Sequence, residues 1–391
     1  MTLPLNPALS DTFAPPVMEA RRWVDGVTFP SSRPLIALSQ AAPVEPPPAP
    51  LIEAMARALA DPDTHLYGAV LGLPDLRAEL AVKIARRYGG QVRAEQIGIT
   101  SGCNQAFCAV MATLAGAGDA VILPTPWYFN HAMWLTMQGV HVTPLPCGAG
   151  LLPDPEQAAN LIGPRTKAIA LVSPNNPTGV EYPADLLAAF RDLARAQGIA
   201  LIVDETYCDF DSRDGAPHDL FADPDWDAVL VRLYSFSKAY RLTGHRVGAI
   251  ATSPARLREI EKFLDTTTIC PTILGQKAAL WGLRHLDDWL AGERAEILAR
   301  RAAITQGVAQ LPDWQLAGCG AYFAYLRHPF ALDSHALAQQ LVHDASLLVL
   351  PGTMFAPEGD TAARQHLRVA FANANRAGIA TVIARLSALH I

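Results

Sequence analysis

Four short apolar runs, "DAVILP", "KAIALVS", "IALIVDE" and "AVLVRLYS", follow one another between residues 119 and 235, with helical or loop sequence between them. Near-continuous hydrophobicity over the length of a strand marks strands buried on both faces, the condition of a parallel sheet covered by helices. Between the second and third runs, "PADLLAAFRDLARAQG" is amphipathic, with Pro183 near its first turn and Gly198 after its end, so it reads as a helix. Strands alternating with helices predict a mostly parallel sheet with right-handed crossovers. Upstream, "IGIT" reads as a further strand. "PDLRAELAVKIARRYG" reads as a helix with Leu76, Leu80, Val82, Ile84 and Ala85 in roughly helical spacing, stopped by Gly89 and Gly90. Beyond Leu283 the pattern changes to long charged helices such as "DDWLAGERAEILARRAAITQGVAQL" and short strands in "AYFAYL", "LVLP" and "HLRVAFA". The expected architecture is therefore α/β: a large domain over residues 46–283 and a smaller α+β domain over 284–391. An N-terminal arm, residues 1–45, is expected to pack with the small domain. "APVEPPPAP" (Ala42 to Pro50) should set it off as a stiff, extended connector.

Half of the 391 residues are hydrophobic and 17% are charged, enough apolar material for large cores and little for disorder. A net charge of -6 with dispersed Lys and Arg gives no basic field for nucleic acid. The start, "MTLPLNPALSDTFAPP", lacks the cationic and apolar segments of a signal peptide, and no apolar run approaches the ~18 residues of a membrane span. Neither a nucleic-acid nor a membrane partner is expected, and the expected location is cytoplasmic. Six cysteines without C-x-x-C spacing and eleven histidines without H-E-x-x-H argue against a disulfide framework and a metal site.

Ligands of open α/β sheets bind outside the carboxyl ends of the strands, and the polar clusters of this chain fall there. After "IGIT", "SGCNQAF" places Ser101 and Gly102 before a helix that should begin near Asn104; a helix N-terminus favours an anion, although such caps also open ordinary helices. After "KAIALV", "SPNNPTG" is a rigid turn carrying Asn176. After "IALIV" comes Asp204, with Tyr207 three residues on. A desolvated carboxylate needs a cation or hydrogen bonds, and a structural ion pair is the alternative explanation. After "AVLVRLY", "SFSKAYRLTGHRVG" supplies Ser235, Ser237, Lys238 and Arg246, and Gly244 and Gly248 are expected to let the loop approach closely. Together these groups suit a ligand with a phosphate at one end, a protonatable nitrogen at the other and amine chemistry between. Pyridoxal phosphate has that inventory.

In the order and spacing of Asn176, Asp204, Tyr207, Lys238, Arg246 and Arg368, the sequence resembles the aspartate-aminotransferase superfamily, the fold type I pyridoxal-phosphate enzymes of aminotransferase class I/II. The likeness runs from "LIALSQAAP" to "HLRVAFA". It implies a seven-stranded, mostly parallel sheet in the large domain and ping-pong transfer of an amino group between an L-amino acid and a 2-oxo acid. Lys238 would be the Schiff-base lysine and proton carrier; a lysine beside cations loses its proton more easily. Asp204 would pair with the pyridinium nitrogen, and Asn176 and Tyr207 would hydrogen-bond the phenolate oxygen. The phosphate would rest on Gly102, Cys103 and Asn104, on Ser235 and Ser237, and on Arg246. Tyr67, in "HLYGAVLG", would reach the phosphate of a neighbouring subunit, which implies a homodimer with shared sites. Tyr128, in "PTPWYFNH", matches the aromatic that stacks on the pyridine ring, with Trp127 one position away as the alternative.

By the same resemblance Arg368 would clamp the substrate α-carboxylate, near Asn176 and Ala41; many relatives carry glycine at the position of Ala41, so its methyl should narrow the pocket. No arginine is evidently placed for a second, distal carboxylate. Trp127, Phe129 and His131 lean towards a neutral or aromatic substrate side chain, with glutamate as one partner. A C–S β-lyase keeps the same residues and is the enzymatic alternative. The remote alternative is a regulatory binding domain attached to a winged helix, which the start of the family-like pattern near Leu35 leaves without room.

Overall fold

The computed structural model describes residues 3–389. The arm contributes β1 (Ile36–Ala37). Seven strands follow: β2 (Ile97–Thr100), β3 (Ala120–Thr125), β4 (His141–Pro146), β5 (Thr166–Val172), β6 (Ala200–Asp204), β7 (Leu230–Ser235) and β8 (Gly248–Ala251). They form one sheet in the order β2-β8-β7-β6-β5-β3-β4. The run from β4 to β7 is parallel, while β8 is antiparallel to both β7 and β2. Reversing that one strand brings the carboxyl ends of β2, β5, β6 and β7 and the amino end of β8 to the same edge. Strands β2, β6, β7 and β8 are buried throughout, as their largely apolar sequence suits, and the charged Arg232 inside β7 is paired. Pro144 and Pro146 lie in β4, which pairs only with β3; an edge strand tolerates residues that donate no ladder hydrogen bond.

The C-terminal part adds β9 (Gln315–Gly320), β10 (Phe323–Arg327), β11 (Leu347–Leu348), β12 (Leu350–Pro351) and β13 (His366–Val369). An antiparallel sheet has the order β12-β13-β10-β9, and β11 pairs in parallel with β1, tying the arm to this region. One hydrophobic core packs on one face of the large sheet and a second collects Leu38, Ile304, Phe323 and Leu341, while a further core, with Val121, Ile202 and Ile250, covers the sheet's opposite face. The helix Asp287–Val308 runs from one to the other: Leu290 packs in the first, Ile297 and Ile304 in the second. No helix among the described residues is long and apolar enough to cross a membrane.

Two local expectations fail for geometric reasons. The helix Pro74–Tyr88 buries Leu76, Leu80, Ala81, Ile84 and Tyr88, but Val82 is 63% exposed, because two steps of ~100° from Leu80 carry it to the outer face. The proline-rich connector ends early, since Ala49 and Pro50 already belong to the helix Ala49–Leu59, where proline suits the first turn.

The end of β6 is fixed from behind. Glu205, next to Asp204, is 2% exposed and accepts from Tyr88 Oη at 2.9 Å, from His218 Nε2 at 3.1 Å and from Arg232 Nε. Burial pushes its carboxyl up in pKa, but Arg232 and His218 outweigh that and hold it below the ordinary carboxylate range. Its contribution is therefore present above about pH 4.5 and fades as acid protonates the folded state. Glu205→Gln leaves Arg232 buried without its charge partner and is expected to destabilise the fold by roughly 3 kcal/mol at neutral pH. Urea melts of both proteins should show this gap at pH 7 and a narrowing gap towards pH 3.

Candidate active site

At the shared strand edge a cavity of about 580 Å³ opens between the two cores and the arm. Register explains why the polar groups converge. Thr100, Gly248 and Ser235 stand side by side on β2, β8 and β7, and Val172 stands beside Asp204 on β5 and β6. Each strand then turns, and its next residues form the rim. Ala41, Cys103, Asn104, Tyr128, Asn176, Asp204, Tyr207, Ser235, Ser237, Lys238, Arg246 and Arg368 all line the cavity. A larger depression of about 780 Å³ at the opposite, amino edge of the sheet contains none of them; there Lys167 and Arg195 pair with Asp119 and Asp223.

Gly102 caps the helix Cys103–Ala112 with φ +89°, a conformation that favours glycine, and a Cβ there would lie 2.1 Å from Arg246 Nη2. Gly248 is equally constrained, since a Cβ would lie 2.6 Å from Cys103 N. Gly244 is not: a Cβ there would meet nothing within 4 Å, so only Gly248 bears out the expected close approach.

Asp204 is 3% exposed. Its Oδ1 accepts from Thr206 N at 2.9 Å, Thr206 Oγ1 at 2.7 Å and Cys103 Sγ at 3.6 Å, whereas Oδ2 receives His131 Nε2 at 3.3 Å. Burial raises its pKa, but the bonds and charge of His131 and the bonds of Thr206 more than offset that, so the carboxylate form is favoured. Opposite stand cations whose partners are neutral. Arg246 Nη1 donates to Thr243 O at 3.0 Å and to Ser237 Oγ at 3.5 Å. Arg368, 2% exposed, donates through Nη1 to Asn176 Oδ1 at 2.9 Å and through Nη2 to Ser39 O; its Nε has no hydrogen-bond partner, and the guanidinium lies 4.8 Å from the Phe355 ring centre. Burial lowers its pKa to about 10. Lys238 Nζ lies 5.9 Å from the Tyr207 ring centre, and burial together with the charges of Arg246 and Arg368 lowers its pKa to about 8. Among the described residues none of these three cations has a carboxylate within ion-pair distance.

Several expectations change here. Tyr128 lines the cavity and its Oη donates to Asn104 Oδ1 at 3.2 Å, while Trp127 is buried away from it; adjacent residues at a strand-to-helix turn point in different directions. His131 does not face the substrate space. It is buried, stacked 3.8 Å from Phe107, and serves Asp204, so of the three residues taken to favour an aromatic side chain only Phe129 lines the cavity. A lone histidine in the otherwise apolar stretch "HAMWL" was the available signal. Tyr67 is 78% exposed and outside the cavity of its own chain. The cavity also takes in Val17, Met18 and Arg21 of the arm, and Gln40, which nothing in the sequence connects with strand ends 60 or more positions away.

Residues 33–386 match the family described as aminotransferase class I and II. An aromatic aminotransferase of Arabidopsis thaliana is 30% identical over 353 residues, 87% of this chain and 86% of that protein. An arginine–pyruvate transaminase of Pseudomonas aeruginosa is 31% identical over 341 residues, 86% and 85% of the two chains. The solved aspartate aminotransferase of Thermus thermophilus superposes with a TM-score of 0.89 at 25% identity, covering 99% of each chain.

Keeping Lys238 among two arginines destabilises the unliganded protein while the amine is protonated. The penalty is full below about pH 8 and disappears as pH rises towards the unfolded value of 10.5. Lys238→Met should therefore stabilise the cofactor-free protein at pH 7, on the order of 2 kcal/mol after allowance for partial solvent screening. Denaturant melts at pH 7 and pH 10 measure this; the gap should shrink at the higher pH.

Proposed function

The chain belongs to the aminotransferase class I and II family and is an aminotransferase, and we propose that it uses pyridoxal phosphate to move an amino group between an L-amino acid and a 2-oxo acid in a ping-pong cycle. The observation that carries this proposal is the grouping of Lys238, Arg246 and Arg368 on neutral partners opposite the buried carboxylate of Asp204. The cofactor fits that arrangement: its phosphate suits Arg246, and its protonated ring nitrogen suits Asp204, whose Oδ2 is met among the described residues by His131 alone and has acceptor capacity left. A substrate α-carboxylate suits Arg368, whose buried Nε is unpaired. When bound, the cofactor supplies an aldehyde that joins amines and a ring that withdraws electrons from the substrate's Cα.

The remaining chemistry belongs to the chain. Arg246, Ser235, Ser237 and the backbone over Gly102, Cys103 and Asn104 hold the phosphate. Asp204 keeps the proton on the ring nitrogen; His131, Thr206 and Cys103 orient its carboxylate. Tyr128 would cover the cofactor ring, and Asn176 and Tyr207 would hydrogen-bond its phenolate oxygen; all three line the cavity. Lys238, with its lowered pKa, would be the residue that holds the cofactor covalently and would carry the proton to and from the substrate's Cα. Arg368 orients the substrate through its α-carboxylate, and Ala41 narrows the space beside it. Val17, Met18 and Phe129 suit an apolar or aromatic side chain on one of the two amino acids.

We infer a homodimer with shared sites. Leu66, Tyr67 and Ile269 are exposed on neighbouring segments, joined where Gly68 N donates to Cys270 Sγ at 3.4 Å, and Tyr67 is free to reach the phosphate of a second copy. The two cores support a division into arm (1–45), large domain (46–283) and small domain (284–391). Six free cysteines suit a reducing, cytoplasmic setting.

Single amino acids added to the cofactor-loaded protein should bleach its visible absorbance and release a 2-oxo acid in equal amount, and a 2-oxo acid should restore the band. An unchanged band with pyruvate and ammonia formed from cystathionine would contradict the proposal. Arg368→Gln should lower kcat/KM by about 100-fold while cofactor binding, read by dialysis and absorbance, is retained.

A further inference from the structure

We propose that Arg21, carried by the N-terminal arm, is a specificity-determining residue that reads the far end of the substrate, and that it selects one exchange partner bearing a second anionic group. The inference rests on the aminotransferase function proposed above and deepens it.

The helix Pro16–Arg22 has two faces. Pro16 and Ala20 are buried, and Ala20 packs with Phe129 and Phe355, so the helix is held by residues at the cavity wall. Glu19 Oε1 lies 3.7 Å from His335 Nε2, and the Trp23 ring meets the His335 ring edge-on at 5.2 Å, which fixes the helix against the C-terminal region. This leaves Val17, Met18 and Arg21 lining the cavity, at spacings that share one helical side.

Arg21 makes no ion pair among the described residues. Its Nη2 donates to Gln40 Oε1, and Nη1 lies 4.0 Å from Met18 Sδ. Gln40 directly follows Ser39, whose carbonyl accepts from Arg368 Nη2. Consecutive residues of one loop thus hold both guanidiniums, that of Arg368 deep and that of Arg21 at the mouth. Charge then assigns the ligand. On the proposed function Arg246 is taken up by the phosphate, Arg368 by the α-carboxylate and Lys238 by the cofactor's aldehyde, and Asp204, the one carboxylate lining the cavity among the described residues, by the ring nitrogen. Arg21 is the remaining cation, and its amide partner accepts one hydrogen bond without neutralising the charge, whereas a carboxylate supplies the opposite charge and can take two parallel N–H bonds from the guanidinium. An amino acid or 2-oxo acid ending in a carboxylate meets this requirement; an apolar one passes Arg21 without using it.

The test compares cofactor-loaded wild type with Arg21→Met and Arg21→Lys. Succinate and 3-phenylpropionate, acids that bind without reacting, are titrated against the cofactor absorbance. Succinate should weaken on the order of tenfold or more in the Met variant and recover in part in the Lys variant, while 3-phenylpropionate changes by less than about twofold. In turnover, the Met variant should raise KM for glutamate with kcat nearly kept. Unchanged succinate affinity, or equal weakening of both acids, overturns the role of Arg21. Failure of the wild type to transaminate any amino acid refutes the aminotransferase proposal instead, and the binding pair still decides Arg21.

Discussion

Lys238, Arg246 and Arg368 meet at one edge of a buried sheet, and among the described residues only neutral groups hydrogen-bond or stack on them. Like charges in a partly desolvated space repel, and burying a cation without an anion is unfavourable. The fold offsets this with carbonyls, a carboxamide and aromatic faces: Ser39 O, Thr243 O, Asn176 Oδ1, and the rings of Phe323 and Phe355 around Arg368. The residual strain appears as lowered pKa values at Lys238 and Arg368. A site of this kind stores electrostatic free energy that an anionic ligand releases, and for Lys238 the same repulsion favours the neutral amine that the proposed covalent role requires.

The sheet makes the grouping rigid. One antiparallel strand, β8, brings Arg246 to the edge where the other strands present their carboxyl ends, and Gly102 and Gly248 remove the side chains that would keep β8 from the helix Cys103–Ala112. At the end of β6, Asp204 and Glu205, the residue just beyond the strand, serve opposite sides, continuing the alternation of successive strand residues. Asp204 serves the cavity; Glu205 anchors the strand end through Arg232, His218 and Tyr88. Sequence neighbours thus divide chemistry and support between them.

What the sequence could reveal followed its periodicity. Runs of apolar residues identify strands buried on both faces, and the rule that ligands lie at carboxyl ends then selects Asn176, Asp204, Tyr207 and Lys238 without knowledge of strand order. Directions within turns were not legible. Whether Trp127 or Tyr128 enters the cavity depends on one backbone turn, and His131 looks like a pocket residue until its distance to Asp204 is known. The arm was least legible, because Arg21 and Gln40 are held at the site by the β1–β11 pairing and the packing of Ala20, contacts with segments far away in the sequence.

The central claim is that Lys238 stands at the focus of these charges as the attachment point for an aldehyde-bearing phosphate ester. Its most direct test is borohydride reduction of the pyridoxal-phosphate-loaded protein followed by peptide mass mapping. The account predicts one phosphopyridoxyl mass addition, on the peptide that contains Lys238. Labelling spread over surface lysines, or concentrated on Lys83, Lys167, Lys262 or Lys277 with Lys238 unmodified, would contradict it.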